Sequence, residues 1–380
     1  MKPETVLIRE KIDFKDAKPV STPIFQTSAF RSGDQYFYSR KSNPNFVEVE
    51  RVLASLDNGV RALLYSSGMA AISAVLHLLA PGDRLVVNEL IYGCSYRFIA
   101  DYCSQFDIHI TFCDLTDPAV VRTLIGSDTS MVFFETPTNP FLKTVDIRDV
   151  VDRVRSVAPD AIVVVDNTWA TSLYQKPLIH GADVALYSNS KFFSGHGDII
   201  TGTIVARTEH LAARLELWRF YSGTQPDPFA AWLLRRSLQT LAVRMDRHVK
   251  TTATVAAHLR KHPLVEEVYL PAVDSEQLTQ YGGLLFVRFS FRSAEASSKF
   301  VQSLTLFDQG TSMASVASAV AIPYFGSHLS MSPEEKARIG LDPSLIRLSL
   351  GLEDPIDLIE DIDNSIRLAA DLERAFEHAS

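Results

Sequence analysis

Two side chains in the middle of the chain, an aspartate and a lysine, have the types and surroundings of a covalent cofactor site. Asp166 ends the apolar run that begins at Val163, and Lys191 follows the small polar residues Ser188 and Ser190. A lysine amine forms a Schiff base with an aldehyde, and an aspartate can keep a ring nitrogen protonated so that the ring accepts electrons from a carbanion. Together they indicate pyridoxal 5′-phosphate (PLP), with both serine hydroxyls placed to hold its phosphate.

Each half of this pattern is weak when it is considered alone. A strand that ends in an acid such as Asp166 is common in α/β proteins, and a single lysine after a strand is usually solvated. The hypothesis therefore depends on whether other regions of the chain supply the remaining parts of such a site.

Length and composition describe an ordinary globular enzyme. The chain has 380 residues, of which 46% are hydrophobic and 22% charged, and this length suits two or three domains. The formal net charge is -8 without a basic block, which argues against nucleic acid or an anionic membrane as the main partner. No apolar run approaches the length of a bilayer span, and the start of the chain lacks a hydrophobic signal region.

Cysteine and histidine usage predicts a reduced, metal-free, cytoplasmic protein. Cys94, Cys103 and Cys113 are odd in number and lack CxxC spacing, which is typical of free thiols. The ten histidines are scattered, and no cluster has the spacing of metal ligands.

Apolar runs of strand length alternate with helical patterns between Ala62 and Ala206. This alternation predicts a mostly parallel central sheet with helices on both faces. Ligands bind such sheets at the carboxyl ends of the strands, and Gly68, Asn139 and Asp166 are all predicted to lie there.

Three regions differ in their patterns. Residues 1–45 lack strong periodicity and are predicted to be an extended arm that packs on another surface. Residues 46–245 carry the α/β alternation, and residues 246–380 change to alternating strands and flanking helices. We therefore predict an arm, a PLP-binding α/β domain and a smaller C-terminal α+β domain.

Further candidate residues each have a functional and a structural interpretation. Gly68 and Met69 open a helix after a strand, where a phosphate can bind, although a plain helix cap has the same pattern. Tyr92 could stack on a planar ring or simply pack in the core. Asn139 could bind the 3′ oxygen of the cofactor or only stiffen a proline-rich turn, and Arg347, in an apolar strand, could bind a substrate carboxylate or an internal acid.

The ordered combination of these segments resembles the Cys/Met metabolism PLP-dependent enzymes, which include cystathionine γ-synthase, cystathionine lyases, methionine γ-lyase and O-acyl-homoserine sulfhydrylases. The resemblance covers nearly the whole chain, so the structural interpretations above become less favoured. It is carried by Tyr38-Ser-Arg40, Asn43-Pro44, Ser67-Gly-Met-Ala-Ala71, Tyr92-Gly93, Glu135-Thr-Pro-Thr-Asn-Pro140, Val165-Asp-Asn-Thr168, Gly181-Ala-Asp183, Ser188-Asn-Ser-Lys191, Gly195-His196, Arg244-Met245 and Arg347-Leu-Ser-Leu-Gly-Leu-Glu-Asp354.

The resemblance implies PLP fold type I, the aspartate aminotransferase-like fold, and a role for each matching residue. Lys191 would hold the cofactor and move protons, Asp166 would pair with the ring nitrogen, and Tyr92 would stack on the ring and assist the leaving group. The remaining assignments are phosphate binding by Gly68, Met69, Ser188 and Ser190, and orientation of the substrate carboxylate by Asn139 and Arg347.

The arm has a separate implied role. Tyr38 and Arg40 would reach the phosphate of a neighbouring subunit, so each site would be shared between subunits. A homotetramer, assembled as a dimer of dimers, is expected on this ground.

One segment departs from the family pattern. The family's Ser-Leu-Gly-Gly-x-Glu-Ser stretch is Ser312-Met-Ala-Ser-Val-Ala-Ser318 here, without the acid, and Ile322-Pro-Tyr-Phe-Gly-Ser-His328 replaces the segment that usually follows. Ser312 remains a predicted substrate-binding residue, while the altered segment makes a non-standard amino acid a candidate substrate.

The implied reaction is γ-elimination on a sulfur-containing or homoserine-derived L-amino acid. The Tyr92-Gly-Cys94 loop favours it, whereas the following Tyr96-Arg97 is more similar to the synthases. The alternatives are γ-replacement and β-elimination, followed by an aminotransferase and a non-catalytic protein of the same fold.

Overall fold

The computed structural model describes residues 1–12, 19–291, 293–310 and 313–379, with side chains through residue 375. In this part of the chain none of the helices is long and apolar enough to cross a membrane. The α-helices are α1 Pro3–Arg9, α2 Pro44–Asp57, α3 Gly68–Leu76, α4 Gly93–Gln105, α5 Pro118–Leu124, α6 Ile147–Val157, α7 Thr171–Tyr174, α8 Glu209–Ser222, α9 Pro228–Leu238, α10 Leu241–Leu259, α11 Ala294–Ser303, α12 Pro333–Arg338 and α13 Pro355–Ala379.

The strands form two sheets, and one 3₁₀ helix, Pro177–His180, precedes the sixth strand. The strands are β1 Arg61–Tyr65, β2 Arg84–Asn88, β3 His109–Cys113, β4 Thr129–Glu135, β5 Ile162–Asp166, β6 Val184–Ser188, β7 Gly202–Ala206, β8 Val265–Tyr269, β9 Leu284–Phe289, β10 Asp308–Gln309, β11 Ala319–Ala321 and β12 Leu345–Ser349.

The larger sheet has seven strands in the order β1-β7-β6-β5-β4-β2-β3. Only β7 runs antiparallel to its neighbours, so the prediction of a mostly parallel sheet is confirmed. Leu63 and Tyr65 pack with α3, α4 and α8, whereas Ala62 and Leu64 pack with α2, α9 and α10. Because alternate residues of a strand point to opposite faces, helices cover this sheet on both sides.

The smaller sheet has the order β10-β11-β12-β9-β8 and packs against α11 and α13. Helix α10 contributes Leu241 and Met245 to the core of the large sheet, and Val255 and Leu259 to the core of the small sheet. The predicted division between residues 245 and 246 therefore falls inside one continuous helix, and the domain limits remain a prediction.

The N-terminal arm differs from its prediction in one respect. Pro3–Arg9 form helix α1 rather than extended chain, and Val6 and Leu7 are buried. A helix of seven residues has little stability by itself, so tertiary contacts must hold it. Arg235 of α9 supplies them, donating to the carbonyls of Leu7 at 2.7 Å and Glu10 at 2.8 Å.

Arg235 also forms a buried ion pair with Glu48 of α2, at 2.9 Å, so it joins three helices. Replacing it by methionine (Arg235→Met) would leave the Glu48 carboxylate buried without its partner. Such a change typically costs about 3–5 kcal/mol of unfolding free energy. We expect urea unfolding to show a loss of this size, together with faster proteolytic cleavage in α1.

The matched control is Arg236→Met, because Arg236 is exposed on the same helix. Equal stability of the two variants would contradict the structural role given to Arg235.

Candidate active site

Several strands of the large sheet end at one edge, and a cavity of about 290 Å³ opens there. The parallel strands β1, β4, β5 and β6 end at Tyr65, Glu135, Asp166 and Ser188, so the loops that follow them converge. The cavity is lined by Ser67, Gly68, Met69, Tyr92, Glu135, Asp166, Thr168, Trp169, Ser188, Ser190, Lys191, Ile200, Met313 and Ser327.

The start of α3 forms one end of this cavity and suits a phosphate. Ser67 caps the helix through its hydroxyl, which accepts a hydrogen bond from the amide of Ala70 at 3.0 Å. A Cβ on Gly68 would lie 2.9 Å from the Cβ of Ser188, so only glycine permits this approach. The first amides of a helix have no partner within the helix, and they attract anions. Together with Ser190, which lines the same cavity, these groups could hold a phosphate, and we call them the phosphate cradle.

Lys191 lies in the same cavity, and its surroundings lower the pKa of its amine. Burial is the largest cause, the positive charge of Arg347 acts in the same direction, and the charge of Asp166 opposes both. A lowered pKa makes the neutral amine available as a nucleophile and as a base.

Asp166 ends β5 and is buried below the cavity. It accepts hydrogen bonds from the amide of Thr168 at 3.1 Å and from the hydroxyl of Thr168 at 2.5 Å. Burial nevertheless raises the pKa of Asp166 to about 6, because the hydrogen bonds of Thr168 offset only part of the desolvation. A cationic partner, such as a protonated ring nitrogen, would stabilise the charged form of a buried carboxylate of this kind.

Glu135 was not predicted as a site residue, although it lines the cavity and is 3% exposed. It lies beside Asp166 in the pairing of β4 with β5, and burial together with the charge of Asp166 raises the pKa of Glu135 well above its ordinary value. Its carboxylate accepts hydrogen bonds from the Tyr92 amide at 2.9 Å and from the indole of Trp169. The signal that identified Asp166, an acid at the end of an apolar strand, is equally present at Glu135.

Tyr92 immediately precedes α4, and Glu135 holds its backbone in place. Burial, followed by the neighbouring Cys94, raises the pKa of the Tyr92 phenol to about 12. The phenol is therefore protonated at neutral pH and can donate a hydrogen bond into the cavity.

Arg347 comes from β12 of the smaller sheet and is 2% exposed. Among the described residues no carboxylate forms an ion pair with it, and its Nε and Nη1 atoms have no hydrogen-bond partner. Burial lowers the pKa of Arg347 to about 10. The side chain of Asn139 is likewise buried without a partner for either of its polar atoms. These orphaned groups are what a substrate carboxylate would satisfy.

Some predicted residues do not line the cavity. Asn139 and Arg347 lie near it without being part of its lining. Tyr38 and Arg40 do not line the cavity; Arg40 donates to the carbonyl of Phe220 at 3.0 Å and lies over the Phe220 ring. Ser312 lies outside the described residues, while its neighbour Met313 lines the cavity.

The residues of this site suit the phosphate, the aldehyde and the ring nitrogen of PLP. The phosphate cradle, the lysine with a lowered pKa and the buried aspartate line one cavity, and an unpaired arginine lies close enough to affect the lysine. This fold and this set of groups define a PLP-dependent enzyme of fold type I.

Comparisons with known proteins give the family. The family described as Cys/Met metabolism PLP-dependent enzyme matches residues 4–367. The chain is 35% identical over 355 residues to a cystathionine gamma-lyase of Dictyostelium discoideum, with 91% of each protein covered. It is 36% identical over 372 residues to an L-methionine gamma-lyase of Pseudomonas deceptionensis, with 92% of each covered.

The fold agrees with this result. A crystal structure of cystathionine gamma synthase from Xanthomonas oryzae pv. oryzae in complex with cystathionine superposes with a TM-score of 0.93 at 33% identity, covering 97% of this chain and 99% of that one. The chain belongs to the Cys/Met metabolism PLP-dependent enzymes. The predicted family, fold type and cofactor are thereby confirmed.

Removing the Lys191 amine tests the cofactor site. We expect Lys191→Ala to abolish turnover and to leave a folded oligomer, because the half-buried side chain is needed for chemistry rather than for packing. Borohydride reduction of the PLP-loaded protein, followed by mass spectrometry, should attach one phosphopyridoxyl group to the unaltered chain and none to the variant.

The control is Lys250→Ala, on the exposed face of α10, which should keep both activity and labelling. Full activity in Lys191→Ala would refute the assignment of this lysine.

The pKa of Asp166 predicts a pH dependence of cofactor binding. As pH falls through about 6, Asp166 takes up a proton and loses the charge that attracts a cationic ring nitrogen. Apoprotein titrated with PLP should therefore bind about tenfold more weakly one pH unit below that value. The Asp166→Asn variant should bind PLP weakly over the whole pH range, and the loss of affinity near pH 6 should be missing. If the variant still loses affinity near pH 6, another group is responsible for the titration.

Proposed function

We propose that this protein catalyses PLP-dependent γ-elimination on a sulfur-containing or homoserine-derived L-amino acid. The observation that carries the proposal is the pairing of a lysine whose pKa is lowered with a buried, unpaired arginine close to it. An α-amino acid has complementary groups, since its amine reacts near the lysine while its carboxylate satisfies the arginine.

The residues of this chain have distinct tasks in such a reaction. Arg347, assisted by Asn139, binds the substrate carboxylate and thereby places the α-carbon near the Lys191 amine. Bound PLP supplies a ring that stabilises negative charge at that carbon, and Asp166 keeps the ring nitrogen protonated. Lys191, whose lowered pKa leaves its amine free to accept a proton, removes the α-proton and moves protons between substrate carbons.

Tyr92 acts at the far end of the substrate. Its phenol stays protonated at neutral pH because burial raises its pKa, so it is a donor at the cavity wall. We assign to it a hydrogen bond to the departing group, where negative charge develops as the bond breaks. Glu135 supports this step indirectly, by holding the amide of Tyr92.

The preference for elimination draws on the relatives and on the loop after β2. The two relatives described above are named γ-lyases, and Tyr92-Gly-Cys94 has the sequence that favours a lyase. The second candidate is γ-replacement, because a cystathionine gamma synthase superposes on the chain so closely.

The assembly and location belong to the same proposal. We infer a homotetramer with shared sites, since Phe37 is 76% exposed and neither Tyr38 nor Arg40 lines the cavity of its own chain. The three free cysteines support a cytoplasmic location. The substrate is a small amino acid, and the net charge of -8 does not favour nucleic acid.

Product analysis tests the reaction. PLP-loaded protein would be incubated with methionine, cystathionine, O-acetylhomoserine and O-succinylhomoserine, each with and without cysteine, and the products identified by mass spectrometry. We expect a 2-oxo acid and ammonia in the absence of cysteine. A thioether formed only when cysteine is present would replace the proposal with γ-replacement.

The Lys191→Ala protein is the matched blank for every substrate. If the unaltered protein, with its cofactor bound, leaves all four compounds intact, the proposed substrate class is wrong. The altered segment of residues 312–328 would then indicate a different amino acid as the substrate.

A further inference from the structure

A buried histidine holds one hydroxyl at the cavity wall, and the reaction described above leaves this pair unused. Ser327 lines the cavity, and its Oγ lies 2.9 Å from Nδ1 of His328. The other ring nitrogen of His328, Nε2, faces the backbone carbonyl oxygen of Asn139 at 3.3 Å. His328 is fully buried, so serine, imidazole and carbonyl form one fixed chain.

The direction of these hydrogen bonds follows from the chemistry of the ring. Burial lowers the pKa of His328 to about 4, so the imidazole is neutral and carries a single proton. A carbonyl oxygen can only accept, and the Asn139 carbonyl lies within hydrogen-bond distance of Nε2, so we assign the proton to Nε2. Nδ1 is then the acceptor, and the Ser327 hydroxyl donates to it.

The consequence for Ser327 is that its hydrogen atom points into the protein while its lone pairs are left for the cavity. The Tyr92 phenol and the Arg347 guanidinium are donors, and the carboxylates of Asp166 and Glu135 already accept from Thr168, Tyr92 and Trp169. The cavity also holds other hydroxyls, and those of Ser67, Thr168 and Ser190 already accept from backbone amides. Ser327 thus adds an uncharged acceptor whose own hydrogen is engaged by His328.

The position of this hydroxyl is held by close packing against the start of α4. A Cβ on Gly93 would lie 2.4 Å from the carbonyl oxygen of Ser327 and 2.8 Å from the Cα of His328, so the two segments touch directly. The Ser330 hydroxyl donates to the Gly93 carbonyl at 3.0 Å, and Arg97 donates to the Ser330 carbonyl at 2.8 Å. Ser327 is consequently fixed beside Tyr92.

We propose that Ser327 contacts the substrate and accepts a hydrogen bond from its amine, with His328 as the positioning residue that aims the hydroxyl. The proposal rests on the amino-acid substrate inferred above, to which it adds a binding partner for the amine. An uncharged acceptor suits this task, because a carboxylate would stabilise the ammonium form, whereas only the neutral amine is a nucleophile.

The test separates the amine from the carboxylate. L-Alanine and propionate would be titrated into PLP-loaded protein, since both offer a carboxylate and only the first has an amine. We expect Ser327→Ala to weaken L-alanine binding about fivefold to tenfold, the usual net effect of one hydrogen bond. Propionate binding should change less than about twofold, because its contacts with Arg347 are kept.

Two further variants sharpen the comparison. Ser327→Thr keeps a hydroxyl and should retain L-alanine binding. Ser327→Cys keeps a side chain of similar size but offers only a weak acceptor, so it should lose L-alanine binding selectively, as Ser327→Ala does. The cysteine variant also serves if Ser327→Ala does not fold, and the visible absorption of the bound cofactor reports folding in every case.

Two outcomes would overturn the proposal: equal weakening of both ligands, which would mean that Ser327 only shapes the cavity, or no change in either. Failure of the proposed reaction would be visible separately, as an absence of product from the unaltered protein while the selective effect on L-alanine persists.

Discussion

Everything in this site depends on holding opposite charges together at the buried edge of a parallel sheet. Asp166 and Glu135 lie side by side at the ends of β5 and β4, and each has a raised pKa because burial disfavours its charge. Lys191 and Arg347 are cations with lowered pKa values for the same reason. Burying these charged groups costs folding free energy in the protein alone. A bound cofactor and substrate that carry the opposite charges reduce that cost.

The two sheets contribute different halves of the chemistry. The large sheet brings the phosphate cradle, Lys191 and Asp166 together, whereas the only unpaired guanidinium described near them, that of Arg347, comes from the smaller sheet. Helix α10 packs into the cores of both sheets, so the relative position of the two halves is built into a continuous element. The position of Arg347 relative to Lys191 therefore depends on packing far from the cavity.

The segment that departs from the family pattern also borders the cavity. Met313 and Ser327 both line the cavity, and the segment packs on the start of α4 next to Tyr92. This segment is separate in sequence from Gly68, Glu135 and Asp166, which line other parts of the same cavity. The hydroxyl of Ser327, held by His328, is the group of this segment that we propose to contact the substrate.

The sequence alone determined the family, the sheet type and the cofactor, because apolar periodicity and the short motifs at strand ends are local signals. It also named Lys191, Asp166 and Tyr92, which line one cavity in the structure. The alternation expected between Ala62 and Ala206 matches the stretch from β1 to β7 that forms the large sheet. The sequence missed helix α1, which Arg235 stabilises through contacts more than 200 residues away in the chain. It likewise missed Glu135 and the pair formed by Ser327 and His328. Only the tertiary structure decided those, because burial, the protonation of a histidine and the direction of a hydroxyl depend on neighbours that no local pattern records.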